Sequence, residues 1–127
     1  MEKTKQVKTY RDLVVWQKSM ALVTEIYKQT KSFPKDETYG LTSQMRRCAV
    51  SIPSNIAEGY GRNSTSDYVR FLRVAAGSLY ELQTQMEISS NLRYLNKNNF
   101  DKLYESSREI ERMLSSLTKK LNDKRTK

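Results

Sequence analysis

The sequence predicts an all-α protein, an antiparallel up-down-up-down four-helix bundle whose second helix is kinked by a proline. Three observations support this class. Only 4 glycines and 2 prolines interrupt 127 residues, and these are the residues that most often break helices. Apolar residues recur at steps of three and four in four long segments, which is the spacing of one helical face. Short connections between long helices favour antiparallel neighbours.

The first helix is predicted over residues 11–30, with Asp12 in its first turn, where a carboxylate interacts favourably with the helix dipole. Phe33-Pro34 ends the segment, because a residue before proline avoids helical angles. Two apolar stripes run along this helix, about a quarter turn apart. We expect the main stripe to face the core and the second stripe to face outwards. The main stripe contains Leu13, Trp16, Met20, Val23 and Tyr27, and the second contains Val15, Leu22 and Ile26.

The second helix is predicted over residues 38–58. One apolar face carries Leu41, Met45, Cys48, Ile52 and Ile56. Pro53 falls inside this run and lacks the amide that would bond the carbonyl four residues earlier, so we expect the helix to bend there. Gly59 and Gly61 follow, and we expect them to end the helix through the left-handed conformation that glycine accepts.

Ser64 is predicted to cap the third helix, with Asp67 three residues later in a variant of the capping box. The inward face of this helix is predicted to contain Tyr68, Phe71, Leu72, Ala75, Leu79, Leu82 and Met86. The fourth helix is predicted over residues 98–121 and should bury Phe100, Leu103, Ile110, Leu114, Leu117 and Leu121. The predicted organisation is a basic tail of residues 1–10, a bundle of residues 11–121 and a second basic tail of residues 122–127.

Five motifs resemble those of a known family. They are Asp12-Leu-Val-Val-Trp-Gln-Lys18, Phe33-Pro34, Tyr39-Gly-Leu-Thr-Ser-Gln-Met-Arg-Arg47, Ser51-Ile-Pro-Ser-Asn-Ile-Ala-Glu-Gly59 and Gly77-Ser-Leu-Tyr-Glu-Leu-Gln-Thr-Gln85. In this order they resemble the four-helix-bundle proteins encoded in intervening sequences of bacterial 23S rRNA genes, over roughly residues 10–120. The chain resembles more distantly the accessory proteins of diversity-generating retroelements, basic pentameric bundles that bind nucleic acid and a reverse transcriptase. The resemblance implies a closed ring, commonly a pentamer, and a preference for RNA.

The formal net charge of +9 indicates a polyanionic partner. Residues 1–11 carry +3 and residues 119–127 carry +4, so most of the charge lies near the two ends of the sequence, where it would attract phosphates without specificity. In the C-terminal tail region the candidate contacts are Lys119, Lys120, Lys124 and Arg125. The alternative interpretation is that basic tails serve only solubility.

Every basic residue from position 46 to position 93 is an arginine, whose planar guanidinium suits phosphates and carboxylates. We predict nucleic-acid contacts by Arg46, Arg47, Arg62, Arg70 and Arg73, with Tyr60 stacking on an unpaired base. RNA is the favoured partner and DNA remains open. The alternative is that Glu58, Asp67, Glu81 and Glu87 pair with these arginines.

The outward face of the third helix carries small and apolar residues, namely Val69, Ala76, Gly77, Tyr80, Thr84 and Ile88. A glycine inside a helix costs about 1 kcal/mol relative to alanine, so Gly77 indicates that another backbone packs closely. A homo-oligomer interface is therefore predicted from Val15, Leu22 and Ile26 with Ala76, Gly77, Tyr80 and Ile88. The alternative is a monomer, on which isolated exposed apolar residues are normal. An adaptor whose partner is another protein, such as a reverse transcriptase, is the second functional hypothesis.

No enzymatic function, cofactor or metal site is expected. The sequence contains no histidine, which removes the commonest acid–base catalyst and metal ligand. Cys48 lies on a core stripe, where packing is expected instead of nucleophilic chemistry. One polar strip of the second helix, Gln44, Arg47, Ser51, Asn55 and Glu58, is expected to make structural hydrogen bonds or to hold an anion. No run of about 20 apolar residues predicts a membrane span, and the single cysteine fits a cytoplasmic protein.

Overall fold

Four helices form an antiparallel bundle in the computed structural model of the chain, which describes residues 6–125 and, at Arg125, the backbone alone. They are α1 (Val14–Thr30), α2 (Leu41–Tyr60), α3 (Thr65–Asn91) and α4 (Lys97–Arg125), with short 3₁₀ helices at Tyr10–Asp12 and Lys35–Glu37. No strand occurs in this part of the chain. Each of α1 and α3 packs against both α2 and α4. The predicted fold class is therefore confirmed.

The helix starts depend on short polar side chains. Thr9 and Asp12 form a reciprocal capping box around the first 3₁₀ helix, and α1 itself begins only at Val14, four residues after Tyr10. Ser64 Oγ accepts the amide of Asp67 at 3.1 Å and caps α3 as predicted. Asn96 Oδ1 accepts the amide of Asn99 at 2.8 Å at the start of α4. Such caps satisfy amides that have no partner inside the helix.

The predicted faces of α1 are exchanged in the structure. Val15, Leu22 and Ile26 are 6%, 2% and 0% exposed and lie in the core, so they do not form an outward strip. Met20 and Tyr27, predicted to be inside, are exposed, and Trp16 and Val23 are half-buried. The inward stripe also carries Ser19 and Thr30, whose hydroxyls donate to the carbonyls of Val15 and Ile26 at 2.7 Å. Because these hydroxyls are satisfied within the helix, a stripe containing polar residues can be buried.

The predicted inward faces of the other helices are largely confirmed. Met45, Cys48, Ile52 and Ile56 of α2 are buried, as are five apolar residues of α3 and three of α4: Leu72, Ala75, Leu79, Leu82, Met86, Leu103, Ile110 and Leu114. Most of the remaining predicted core residues pack against this cluster at its edges, namely Leu41, Tyr68, Phe100, Leu117 and Leu121, whereas Phe71 is only half-buried. Val69, predicted to face outwards, is also buried.

Gly59 and Gly61 lie at the end of α2 for a different reason from the one predicted. No described glycine has a positive φ, so left-handed geometry does not end the helix. A Cβ at Gly59 would stand 2.8 Å from Phe71 Cβ and 3.2 Å from the carbonyl oxygen of Tyr68. Gly59 therefore permits the close approach of α2 and α3. Pro53 lies inside the continuous helix α2 and is buried, and a bend at this residue remains a prediction.

Both predicted tails contain described residues. Helix α4 continues to Arg125, so residues 122–125 are helical. At the other end, the Lys8 amide donates to Asp12 Oδ2 at 2.9 Å, and the ring of Tyr10 packs edge-on against Trp16 with centroids 5.2 Å apart. Residues 1–5 and 126–127 lie outside the described part of the chain.

Candidate nucleic-acid interface

The antiparallel topology gathers basic side chains at one end of the bundle. This end, here called the basic end, contains residues 6–21, 51–77 and 112–124, which are the start of α1, the end of α2, the start of α3 and the end of α4. It carries ten basic and four acidic side chains, whereas residues 22–50 and 78–111 carry nine of each. The two ends of the molecule thus differ strongly in charge. A positive surface of this kind attracts polyanions over a distance of about 10 Å or less at ordinary salt.

Arg46 and Arg47 lie outside the basic end. Arg46 Nε donates to Thr30 Oγ1 at 2.9 Å, and its guanidinium lies 4.5 Å from the centroid of the Tyr27 ring. This arginine therefore ties α2 to α1. Arg47 is exposed and lines a different surface, between α2 and α3. The structure does not bring these two residues together with the other predicted contacts.

Arg62 and Arg70 lie at the basic end but have acidic partners. Arg62 is 2.9 Å from Glu58, and Arg70 is 3.5 Å from Asp67. Both guanidinium groups also lie 4.6 Å from the centroid of the Phe71 ring. The pairs are solvent-exposed and therefore weak, so a phosphate can compete for either arginine.

Tyr60 packs against a neighbouring tyrosine. Its ring is half-buried and meets Tyr68 edge-on, with centroids 6.1 Å apart. Burial, followed by the neighbouring Tyr60, raises the pKa of Tyr68 to about 12. Tyr60 thus packs at the α2–α3 connection, and its role in stacking on an unpaired base remains a prediction.

A groove between α3 and α4, here called the α3–α4 groove, contains the best-placed basic side chains. It has a volume of about 390 Å³. Its floor is apolar, and its polar rim is formed by Arg73, Tyr80, Ser115, Thr118, Lys119 and Asn122. Arg73 and Lys119 are exposed and make no ion pair within the described part of the chain. These two predicted contacts are therefore available to an anionic ligand.

Lys120 and Lys124 lie on the adjacent surface of the same helix, around a second groove with Leu117 and Leu121. Because α4 remains helical here, the lysines are held on a rigid element. The side chain of Arg125 lies outside the described part, although its backbone continues α4.

Sequence reasoning missed the polar rim contributed by α4. Ser115, Thr118, Lys119 and Asn122 follow one another at helical spacing, so they share one face of α4. This spacing is visible in the sequence. It is easily missed when the helix is ended at residue 121 and residues 122–127 are assigned to a tail. Tyr80, predicted to lie at a subunit interface, lines the same groove and is 51% exposed. Ala76 is half-buried there against α4.

The predicted polar strip of α2 forms part of a cleft against α3. The hydroxyls of Ser51 and Ser78 are 2.8 Å apart, and Asn55 Nδ2 donates to Ser51 Oγ at 3.0 Å. These bonds connect α2 to α3. Burial, together with the nearby Glu81 carboxylate, raises the pKa of the Cys48 thiol above its ordinary value. The thiol therefore stays protonated, a state in which it is a poor nucleophile.

Neither a metal site nor a membrane span is found among the described residues. No group of three or more Cys, Asp or Glu side chains is placed to hold a metal ion in residues 6–125. No helix in the same range is long and apolar enough to cross a membrane.

Comparison with known proteins identifies the family. The model of the 23S rRNA-intervening sequence protein family matches residues 11–116. The chain belongs to this family. Among solved structures, the chain is similar to a protein of unknown function from the S23 ribosomal protein family of Bacteroides thetaiotaomicron, with a TM-score of 0.76 and 25% identity. The likeness covers 84% of this chain and 99% of that one. No curated protein matches the sequence.

Proposed function

We propose that this protein is a non-enzymatic, homo-oligomeric RNA-binding protein of the cytoplasm. The observation that carries the proposal is the collection of ten basic and four acidic side chains at the basic end of the described bundle. Phosphate contacts dominate the affinity of such surfaces, and each contact releases condensed counterions. The family's link to 23S rRNA genes favours RNA over DNA as the ligand.

Fluorescence-anisotropy titration of a structured rRNA fragment at several salt concentrations tests this proposal. The decisive variant replaces Arg73, Lys119, Lys120 and Lys124 with glutamine. Its matched control replaces four exposed lysines of the opposite end, Lys28, Lys31, Lys35 and Lys102, with glutamine. Both variants lose four charges, so they differ only in where the charge is lost.

We expect the basic-end variant to lose most of its affinity. The dependence of log K on log salt should also become shallower, by about one unit for each phosphate-contacting residue removed. The control variant should keep most of its affinity and most of its salt dependence. An equal loss in the two variants would show general attraction by net charge and would contradict a site at the basic end. Equal affinity for a DNA of the same sequence would remove the RNA preference.

Self-association is the second part of the proposal, and the exposed apolar surface supports it. A groove of about 310 Å³ between α1 and α2, here called the α1–α2 groove, is lined by Tyr10, Trp16, Met20, Val23, Val50, Pro53, Ser54 and Ala57. On the far side of the bundle, α3 exposes Val74 and Ile88 on either side of Gly77. A Cβ at Gly77 would meet nothing within 4 Å, so the backbone is open to close approach.

These two surfaces are different, and we infer that one copy's α1–α2 groove receives the next copy's α3. Contacts between unlike surfaces are head-to-tail, and they close into a ring when the rotation permits. The resemblance to ring-forming relatives supports a ring, commonly of five subunits. The subunit contact does not include Val15, Leu22 and Ile26, because these three side chains are buried in the core of each protomer.

The α1–α2 groove also favours a second candidate function, an adaptor that receives an apolar helix of another protein such as a reverse transcriptase. Salt distinguishes the two functions, because an apolar interface responds little to ionic strength whereas phosphate contacts weaken steeply. A protein that binds no RNA at low salt, yet remains oligomeric, would favour the adaptor.

A further inference from the structure

The α3–α4 groove combines two cations of the basic end, Arg73 and Lys119, with the exposed aromatic ring of Tyr80, which lies just beyond that end. It extends from Tyr80 and Glu111, near the middle of the bundle, to Lys119 and Asn122 near the end of α4. Elsewhere at the basic end, Arg62 and Arg70 are already paired with carboxylates and stacked on Phe71. In the α3–α4 groove, by contrast, a ligand meets a concave wall and two cations that make no ion pair in the described part of the chain.

The charges in the groove favour an anionic ligand over its whole length. Arg73 and Lys119 project from α3 and α4 respectively, and within residues 6–124 neither is paired with a carboxylate. The acidic residue of the groove, Glu111, is engaged by Arg108 Nη1 at 2.8 Å and by Gln83 Nε2 at 3.2 Å. Its negative charge is thus largely compensated before any ligand arrives.

Tyr80 supplies a surface that a nucleobase can use. About half of this side chain is exposed, at the inner end of the groove. Stacking on an aromatic ring requires a base that has left its own helical stack, because a paired base presents only its edge. The hydroxyls of Ser115 and Thr118 and the amide of Asn122 line the path towards the two cations. Groups of this kind hydrogen-bond base edges and 2′-hydroxyls.

Resting on the proposed RNA-binding function, we propose that the α3–α4 groove binds an unpaired RNA segment. One base stacks on Tyr80, and the neighbouring phosphates are held by Arg73 and Lys119. The remaining basic side chains of the basic end contact phosphates without distinguishing paired from unpaired strands. The groove thereby gives the protein a preference for loops and single-stranded regions.

The test compares two labelled RNAs by fluorescence anisotropy at one salt concentration. One is an unpaired oligonucleotide, and the other is a blunt hairpin duplex with the same number of phosphates. The variant is Tyr80→Leu, which removes the ring but keeps an apolar helix former at this position. The matched control is Tyr39→Leu, which removes a 95% exposed tyrosine that precedes α2 at the opposite end of the bundle.

We expect Tyr80→Leu to weaken binding of the unpaired RNA by about fivefold or more, which is the usual effect of removing one base stack. Binding of the duplex should stay unchanged, and Tyr39→Leu should change neither. An equal loss for both RNAs, or no loss for either, would overturn the groove proposal while leaving the RNA-binding function in place. If the unaltered protein binds neither RNA, the proposed function itself fails.

Light scattering on the same samples separates this role from the predicted interface role of Tyr80. The mass of Tyr80→Leu should equal that of the unaltered protein. A lower mass would support the prediction that Tyr80 lies at the subunit interface, and it would overturn the groove proposal.

Discussion

Arg93 adopts a backbone conformation that ordinarily selects glycine. Its φ is 64°, and it lies just beyond the C-terminal end of α3 in a Schellman motif. In that motif the amide of Tyr94 donates to the carbonyl of Ser89 at 2.8 Å, and the amide of Arg93 donates to the carbonyl of Ser90 at 3.0 Å. A residue with a Cβ is strained in this left-handed region by about 1–2 kcal/mol.

We therefore expect Arg93→Gly to raise the free energy of unfolding by about 1 kcal/mol, measured by urea denaturation. The control is Lys102→Gly at an exposed position inside α4, which should lower the free energy of unfolding by about 1 kcal/mol. If Arg93→Gly also lowers it, the arginine side chain makes a stabilising contact that outweighs the backbone strain.

Gly59 and Gly77 provide an opposed pair of alanine substitutions. A methyl at Gly59 would collide with Phe71 and Tyr68, so Gly59→Ala should destabilise the protein by about 1–3 kcal/mol. A methyl at Gly77 meets open space, so Gly77→Ala should stabilise the protomer by about 1 kcal/mol through helix propensity. Thermal unfolding of both variants at low protein concentration gives the comparison, and a shift of the same sign in both would contradict it.

For single residues, the sequence predicts the types of side chain at the candidate site, but it does not predict which neighbours these side chains contact. The arginine-rich middle of the chain was evident, but the pairing of Arg62 with Glu58 and the packing of Arg46 on Tyr27 depend on rotamers and on neighbouring helices. The unpaired state of Arg73 is likewise a property of the assembled α3–α4 groove. A single sequence carries no direct signal for it.

At the scale of elements, periodicity located all four helices but assigned the faces of α1 incorrectly. The outward stripe contains Trp16, Met20 and Tyr27 and is unbroken, whereas the inward stripe includes Ser19 and Thr30. Apolar content alone favours the wrong stripe. Hydrogen bonds from the two hydroxyls to their own helix remove the penalty of burying them, and that compensation is not part of a hydrophobicity count.

Two substitutions on α1 test the corrected faces. Leu22→Ala removes a buried side chain, and we expect it to lower the free energy of unfolding by about 2–5 kcal/mol. Met20→Ala removes a side chain that is 42% exposed and should cost considerably less. Guanidinium denaturation monitored by circular dichroism measures both. A larger loss for Met20→Ala than for Leu22→Ala would restore the original assignment.

The length of α4 was underestimated because its last residues are polar and charged. Leu121 is the last apolar residue of the stripe, and only Asn, Asp, Lys and Arg follow before residue 126. Helix α4 nevertheless continues to Arg125. Hydrophobic periodicity detects the part of a helix that has a packing partner. When a helix extends past its neighbours, this method therefore predicts its end too early.

At the scale of the whole molecule, the proposed head-to-tail contact makes a prediction that a symmetric dimer contact does not. Val50→Glu places a charge in the α1–α2 groove, and Gly77→Gln adds bulk to the outward surface of α3. Each variant alone should have the mass of a monomer in light scattering, with an unchanged circular dichroism spectrum. Ser106→Glu, at an exposed position on α4, is the control and should retain the mass of the unaltered protein.

Mixing the two variants should produce dimers. Each variant retains the surface that the other one lacks, so one intact contact forms and the assembly then stops. A mixture that stays monomeric would contradict pairing of unlike surfaces. Variants that keep the full mass would exclude both surfaces from the assembly.

The antiparallel topology also determines where any attached polypeptide emerges. Residue 6 precedes α1 and residue 125 ends α4, and both lie at the basic end. A fluorescent protein or affinity tag fused next to residue 6 or residue 125 is therefore tethered beside the proposed RNA-binding surface, where it would shield a ligand or add its own charge. The connections at 31–40 and 92–96 lie at the opposite end, so a label or an inserted module placed there leaves that surface open.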